Sequence, residues 1–142
     1  MKINRTGSAT WKGGLKDGVG AISTQSGALK DYPYGFASRF EGVAGSNPEE
    51  LIGAAHAACF TMALSLILTD AGLKADKLST SAVVTIEPVE GGFAISASHL
   101  TLEATIPGID QAKFEELTAA AKAGCPVSKV LNATITLDAK LV

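Results

Sequence analysis

Two cysteines and two histidines hold most of the covalent and proton chemistry open to this 142-residue chain. Cys125 stands in Gly124-Cys125-Pro126, at the start of a short helical turn. There, backbone N–H groups and the helix dipole favour a thiolate, the form of cysteine that attacks electrophiles. Cys59 stands in Ala57-Ala58-Cys59-Phe60, within an apolar run. Burial raises a thiol's pKa, and free cysteine is among the most buried residue types, so the plain reading of Cys59 is an inert core residue. The two sulfurs lie 66 positions apart, and nothing local shows that they meet; if they do, they form a dithiol that can close reversibly. His56 precedes Cys59 by three positions and shares its helix face, a spacing from which a Cys–His pair or a metal site can be drawn. No CxxC or HxxxH element accompanies it, and His99 falls on a separate strand. Paired ligands are the usual sign of a metal site, so His56 reads as a packed imidazole with hydrogen-bond partners. The Gly clusters match no phosphate-cradling motif.

Composition narrows the setting. Charged residues make up 18% of the chain, against roughly 25% in a typical soluble domain. The apolar share is 46% and the mean hydropathy +0.25. So little charge points to a second surface buried in an oligomer. A net charge of −2 speaks against a nucleic-acid binder, whose footprint is a basic patch. Two cysteines are too few for a disulfide scaffold, and Met1–Gly7 lacks the apolar core of a signal peptide. These features predict a reducing, cytoplasmic setting.

The elements that must carry these residues are legible. Residues 51–68 carry no charge. The run is shorter than the roughly 20 residues of a membrane span and is bracketed by Glu49, Glu50 and Asp70, so it reads as a core helix buried on nearly all sides. Asn47 as cap, Pro48 at the first position and Glu50 at the third start it, and Asp70-Ala71-Gly72 ends it. A helix over 48–71 spans about 36 Å at ~1.5 Å per residue. Alternation over 100–106 and 133–141 predicts strands, and a β-branched run over 81–87 with Glu90-Gly91-Gly92 predicts an antiparallel hairpin into a strand near Phe93. Strand-like pieces fall at 9–12, 19–24 and 36–41, separated by loops at 12–18 and 25–35. Asp110 caps a second helix with Phe114, Leu117 and Ala121 on one face and Gly124 at its end; Cys125-Pro126 opens another turn through Leu131. The expectation is an α+β fold, antiparallel sheet wrapped around a long central helix, in one domain over 1–142.

Asn47-Pro48-Glu49-Glu50-Leu51 with Ala54-Ala55-His56-Ala57-Ala58-Cys59-Phe60, and Gly124-Cys125-Pro126-Val127-Ser128, resemble the two cysteine motifs of the OsmC/Ohr peroxidases. The likeness covers essentially the whole chain, and Pro33–Phe36 and Arg39–Gly42 resemble the osmotically inducible (OsmC) branch. The resemblance implies a thiol-dependent peroxidase in which Cys59 is peroxidatic, Cys125 resolving, Arg39 the active-site arginine and Glu49 its partner, in an intertwined homodimer. It reverses the assignment that helix position suggests for Cys125, and so requires a cation near Cys59. A guanidinium stays charged when buried, and a carboxylate can hold its fork. Ten positions along one helix separate Glu49 from Cys59 by ~15 Å, more than one Arg39 side chain easily bridges, so the spacing predicts that Glu49 comes from the partner subunit; the alternative is that Glu49 only decorates the helix N-terminus, where the dipole favours it. The implied cycle takes organic hydroperoxide to alcohol through a Cys59 sulfenic acid and a Cys59–Cys125 disulfide, and is reset by an external dithiol such as a dihydrolipoyl protein, without metal, haem or flavin. The rivals are a non-catalytic dimer binding an apolar ligand, with its cysteines as packing, and a general thiol–disulfide oxidoreductase, which the lack of CxxC weakens.

Overall fold

The computed structural model describes residues 1–142 as two compact units, Met1–Pro48 and Glu49–Val142. The first holds an antiparallel sheet of β1 (Gly7–Lys12), β2 (Val19–Thr24) and β3 (Tyr32–Tyr34), in that order. Gly20 permits its packing: the Trp11 and Tyr34 rings lie 5.5 Å apart, and a Cβ on Gly20 would run into both.

The stretch 36–41, read from its alternation as a strand, is instead a helical turn, α1 (Phe36–Phe40). Phe36 and Phe40 suit a period of two, but they are also four apart, and the fold uses that spacing: their rings sit 5.0 Å from each other. Local hydrogen bonding decides between the two. Gly35 caps the turn in extended backbone, its N–H donates to Ser38 Oγ at 2.9 Å, and that hydroxyl also reaches the Ser46 carbonyl at 2.9 Å. The strand of this region, β3, lies within what reads as loop.

The second unit is built on α2 (Pro48–Asp70). Its end is a Schellman motif: Leu73 N–H bonds Leu68 O at 2.8 Å, Gly72 N–H bonds Thr69 O at 3.0 Å, and Gly72 takes φ +75°, where a side chain would be strained. Strands β4 (Lys77–Val89) and β5 (Gly92–Thr105) form the expected hairpin through Glu90-Gly91, longer than the runs that signal it. A bulge at Thr85/Ile86 shifts the register. α3 (Gln111–Gly124) and α4 (Pro126–Val130) follow, then β6 (Thr134–Leu141). Asp110 caps α3, accepting from Lys113 N–H at 2.7 Å.

The sheet order is β4-β5-β6, and β6 runs parallel to β5, from Ala97↔Thr134 to Ala104↔Leu141. This corrects the all-antiparallel expectation. Two helices intervene between β5 and β6, and a helical crossover returns the chain to the end from which β5 started. Phe60, Leu64 and Leu68 of α2, Leu100, Leu102 and Ala104 of β5, and Phe114, Leu117 and Ala121 of α3 form the core, with Cys125 inside it.

Only one face of α2 is covered: Gly53, His56, Phe60, Leu64 and Leu68 are buried, whereas Met62 is 76% and Leu66 62% exposed. The helix is long and apolar enough to cross a membrane, but its inner stripe is packed into a polar-edged sheet unit. Burial on nearly all sides is not reached within one chain. The reason is geometric: one three-stranded sheet and two short helices cover a single stripe of a 23-residue helix.

Gly53 sets how closely α2 approaches the sheet. A Cβ there would lie 3.1 Å from the Ala82 carbonyl oxygen and 3.6 Å from Val84. Gly53→Val, with two further methyls against β4 backbone, should destabilise the protein by about 1–3 kcal/mol through overpacking. Urea unfolding measures it, and an unchanged midpoint would contradict this packing.

Candidate active site

The site is assembled from α2 and the junction of α3 with α4. Cys125 is at once the C-cap of α3 and the residue before Pro126 of α4. Its N–H is used by Ala121 O at 3.0 Å, and its side chain is fully buried. Cys59 projects from α2 toward this junction and is half-buried. Both are free thiols, close enough that each acts on the other's ionisation. The fold thus brings together two residues that the sequence leaves unconnected.

Their environments differ. Burial pushes the Cys59 thiol up, the neighbouring Cys125 pushes it further, and the Val127 N–H offsets part of this. For Cys125 burial also acts upward, but it is outweighed by the Cys59 thiol, by the N–H and hydroxyl of Ser128 and by the Val127 N–H, so its pKa falls below the ordinary thiol value. As a neutral thiol Cys125 makes no cap hydrogen bond; these donors act on the charged form. Of the two thiols, Cys125 is therefore the one whose surroundings favour ionisation and Cys59 the one whose surroundings oppose it, the direction that the helix-start argument expects.

Access runs the other way. Cys59 lines an apolar groove of about 630 Å³ with Ala58, Met62, Ala63, Leu66, Ile67, Gly124 and Pro126. A solute entering the groove meets the sulfur of Cys59, while Cys125 is sealed behind it.

Behind the sulfurs lies a polar chain that sequence reasoning missed. His56 is fully buried. Its Nδ1 lies 2.6 Å from the Ser98 hydroxyl of β5 and its Nε2 2.8 Å from the Ser128 hydroxyl of α4. The imidazole does have partners, as expected, but on two other elements. Ser128 carried a signal, three residues after Cys125 in the second cysteine motif; Ser98 depends on strand register and carried none.

Glu49 lies in the first turn of α2 and is buried, ten residues from Cys59 along the same helix. Arg39 belongs to the other unit, in the last turn of α1, with its guanidinium 5.3 Å from the Phe40 ring centre. It borders a pocket of about 180 Å³ with Trp11, Leu15, Tyr34, Phe36 and Phe40.

A dithiol shared between a core helix and a helix junction, with one sulfur open to an apolar groove, defines a thiol-dependent redox protein. The family described as OsmC-like protein matches residues 41–140, and the chain belongs to it. It is 54% identical over 141 residues to peroxiredoxin OsmC of Escherichia coli (strain K12), covering 99% of both chains. It is 29% identical to organic hydroperoxide resistance protein OhrB of Bacillus subtilis (strain 168), covering 96% of both. The crystal structure of Bacillus subtilis OhrB superposes with a TM-score of 0.70 at 31% identity, over 95% of this chain and 98% of that one. An OsmC-like protein of unknown function from Vibrio cholerae shares the fold, with a TM-score of 0.75 at 14% identity over 97% and 99%.

Burial holds His56 below its ordinary value of 6.5. As pH falls, the unfolded chain takes up this proton before the folded one. The ring's contribution to stability is therefore complete above about 6.5 and is lost as pH drops toward the lower folded value. The melting temperature should decline on acidification from pH 6.5, and His56→Gln should remove that part of the slope. An unaltered slope in His56→Gln would contradict a buried neutral ring.

Proposed function

We propose that this chain, a cysteine-based peroxidase of thiol-dependent peroxide detoxification, reduces organic hydroperoxides to alcohols with Cys59 as peroxidatic and Cys125 as resolving cysteine. The observation that carries the assignment is access: Cys59 alone of the pair faces the apolar groove, and Cys125 lies directly behind it. The Cys59 thiolate attacks the terminal oxygen of ROOH; the O–O bond breaks, ROH leaves with a proton, and Cys59 becomes a sulfenic acid. The Cys125 thiolate then attacks that sulfur, the S–S bond forms and hydroxide leaves as water. An external dithiol returns both cysteines to thiols by exchange. This chemistry runs on sulfur and needs no metal or prosthetic group. An apolar groove accommodates an alkyl or aryl chain and poorly satisfies the hydrogen bonds of hydrogen peroxide, so it favours the organic substrate. The rival thiol–disulfide oxidoreductase and passive ligand-binder readings lack a use for one open and one sealed sulfur.

For attack, negative charge must stand on Cys59, the less readily ionised of the two thiols. In this reading Arg39 supplies the cation that draws it there, and Glu49 holds the guanidinium fork. The ~15 Å between Glu49 and Cys59 along α2 favours a Glu49 contributed by the partner subunit. A homodimer is supported by the uncovered apolar stripe of α2, Met62 and Leu66 included, larger than isolated exposed side chains need. Residues 1–142 act as one functional domain, in keeping with a relative matched over 99% of both chains. The setting is a reducing cytoplasm under oxidative or osmotic stress, where a protein dithiol such as a dihydrolipoyl group serves as reductant.

One equivalent of an organic hydroperoxide should consume both thiols and leave one intramolecular disulfide, with cumene hydroperoxide turned over more efficiently than hydrogen peroxide. Cys59→Ser should abolish turnover; Cys125→Ser should stop after one turnover with a trappable sulfenic acid on Cys59. Full peroxidase activity in Cys59→Ser would overturn the role assignment. For the dimer, Met62→Asp should shift the sedimentation coefficient from dimer to monomer, and a monomeric wild-type protein would refute the interface.

A further inference from the structure

The peroxidase reading uses Cys59 and Cys125 and leaves unexplained why a buried histidine, a buried serine and a half-buried serine stand beside them. Ser98 and His56 are both fully buried, and no buried side-chain polar atom in the chain lacks a hydrogen-bond partner. The three residues come from β5, α2 and α4, so this is not a local helix or turn feature. The fold converges three elements on it.

We propose that Ser98, His56 and Ser128 form a one-directional chain of hydrogen bonds ending on the Cys125 sulfur, with Ser128 positioned to hold that sulfur as a thiolate when it closes onto Cys59 and when it later leaves. The proposal rests on the assignment of Cys125 as resolving cysteine made above.

The direction follows from counting donors. A thiolate only accepts, so a hydroxyl facing it must donate. Ser128 stands three residues after Cys125, in the turn of α4 that Cys125 opens, and its hydroxyl acts on the Cys125 thiolate; donated to that sulfur, its single proton is committed there. Toward His56, 2.8 Å away, Ser128 can then only accept, which requires the proton on Nε2. A neutral imidazole has one N–H, so Nδ1 carries a lone pair, and Ser98, 2.6 Å away, donates to it. Each group has one role, and reversing any link leaves the sulfur without the hydroxyl. The usual alternative use of a serine at this position, three residues after a helix cap, is to bond the cap residue's N–H. That N–H is already taken by Ala121 O at 3.0 Å. The titratable group that acts on the Cys125 sulfur is Cys59 of α2; its remaining polar contacts are the Ser128 hydroxyl and N–H and the Val127 N–H of α4.

Two steps use the arrangement. In disulfide closure, Cys125 must attack the sulfenic sulfur as thiolate, and the hydroxyl raises the fraction of thiolate available. In reduction, a thiolate of the external dithiol attacks Cys59, the sulfur open to the groove; a mixed disulfide forms on Cys59 and Cys125 departs as thiolate. A lower leaving-group pKa speeds this departure. Ser128, His56 and Ser98 touch neither peroxide nor Cys59 in these steps, and are positioning residues.

The first test needs no peroxide. In a Cys59→Ser background, thiolate absorbance at about 240 nm reports the ionisation of Cys125 alone. Ser128→Ala should move the midpoint upward by roughly half a pH unit or more, and Ser128→Thr, which restores a hydroxyl, should bring it back. Ser98→Ala, which leaves Ser128 intact but frees the ring to change tautomer, should shift the midpoint in the same direction by less. An unmoved midpoint in folded Ser128→Ala overturns the proposal, as does a failure of threonine to restore it; an unmoved midpoint in Ser98→Ala overturns the chain beyond Ser128. With both cysteines present, stopped-flow measurement at pH 6 should show Ser128→Ala closing the disulfide several-fold more slowly than wild type once the sulfenic acid has formed. Equal closure rates overturn the proposal. A wild-type protein indifferent to hydroperoxides would overturn the preceding functional reading, and the titration would still decide the role of Ser128.

Discussion

Everything chemical in this molecule depends on two free thiols set against each other in an apolar corner. Neither sulfur is activated by its own element alone. Cys59 sits in the middle of a long helix, where the dipole helps little, and Cys125 sits in a break between two helices. Packed together, each becomes the other's strongest polar neighbour, and the charge one of them carries is set by the partner as much as by solvent. The rest of the second unit serves this proximity. α2 is pressed onto β4 at Gly53 and onto β5 through Phe60 and Leu64, and α3 is anchored by Phe114 and Leu117. The junction at Gly124–Pro126 therefore has one place to fall.

The long helix, the hairpin and the capped α3 could be read from the chain because local chemistry fixes each of them. Pro48, Gly72, Asp110 and the Gly91-Gly92 pair act within a few residues of themselves. The failures occur where two local codes compete or where the deciding contact is distant. Phe36-Ala37-Ser38-Arg39-Phe40 satisfies both a two-residue and a four-residue period, and the bonds of Ser38 to Gly35 and Ser46 settle it as helix. The direction of β6 follows from the crossover through α3 and α4, which no alternation within 134–141 encodes. At the site, the cysteine motifs were visible as motifs, but their meeting was not, since it is made by tertiary packing across 66 positions. Ser98 is the extreme case: an ordinary strand residue whose partner is a histidine 42 positions earlier.

The separation of access from charge is a workable design for a two-cysteine enzyme. A resting thiolate left in an open groove is exposed to every electrophile and to oxidation past the sulfenic stage, which is irreversible for most proteins. Surroundings that favour ionisation at the sealed Cys125 keep charge away from the groove, and in the proposed reading Arg39 is what arms Cys59. The same asymmetry then governs the later steps. In the proposed cycle, once Cys59 is a sulfenic acid, the sulfur that must attack next is the one whose surroundings favour ionisation. After the disulfide forms, the reductant would meet Cys59 at the groove, and the sulfur expelled is the one that better tolerates charge. Burial, usually a penalty for an ionised group, here divides the roles: the sulfur that substrates can touch is the one that must be activated, and the sulfur kept from them is the one whose surroundings favour ionisation.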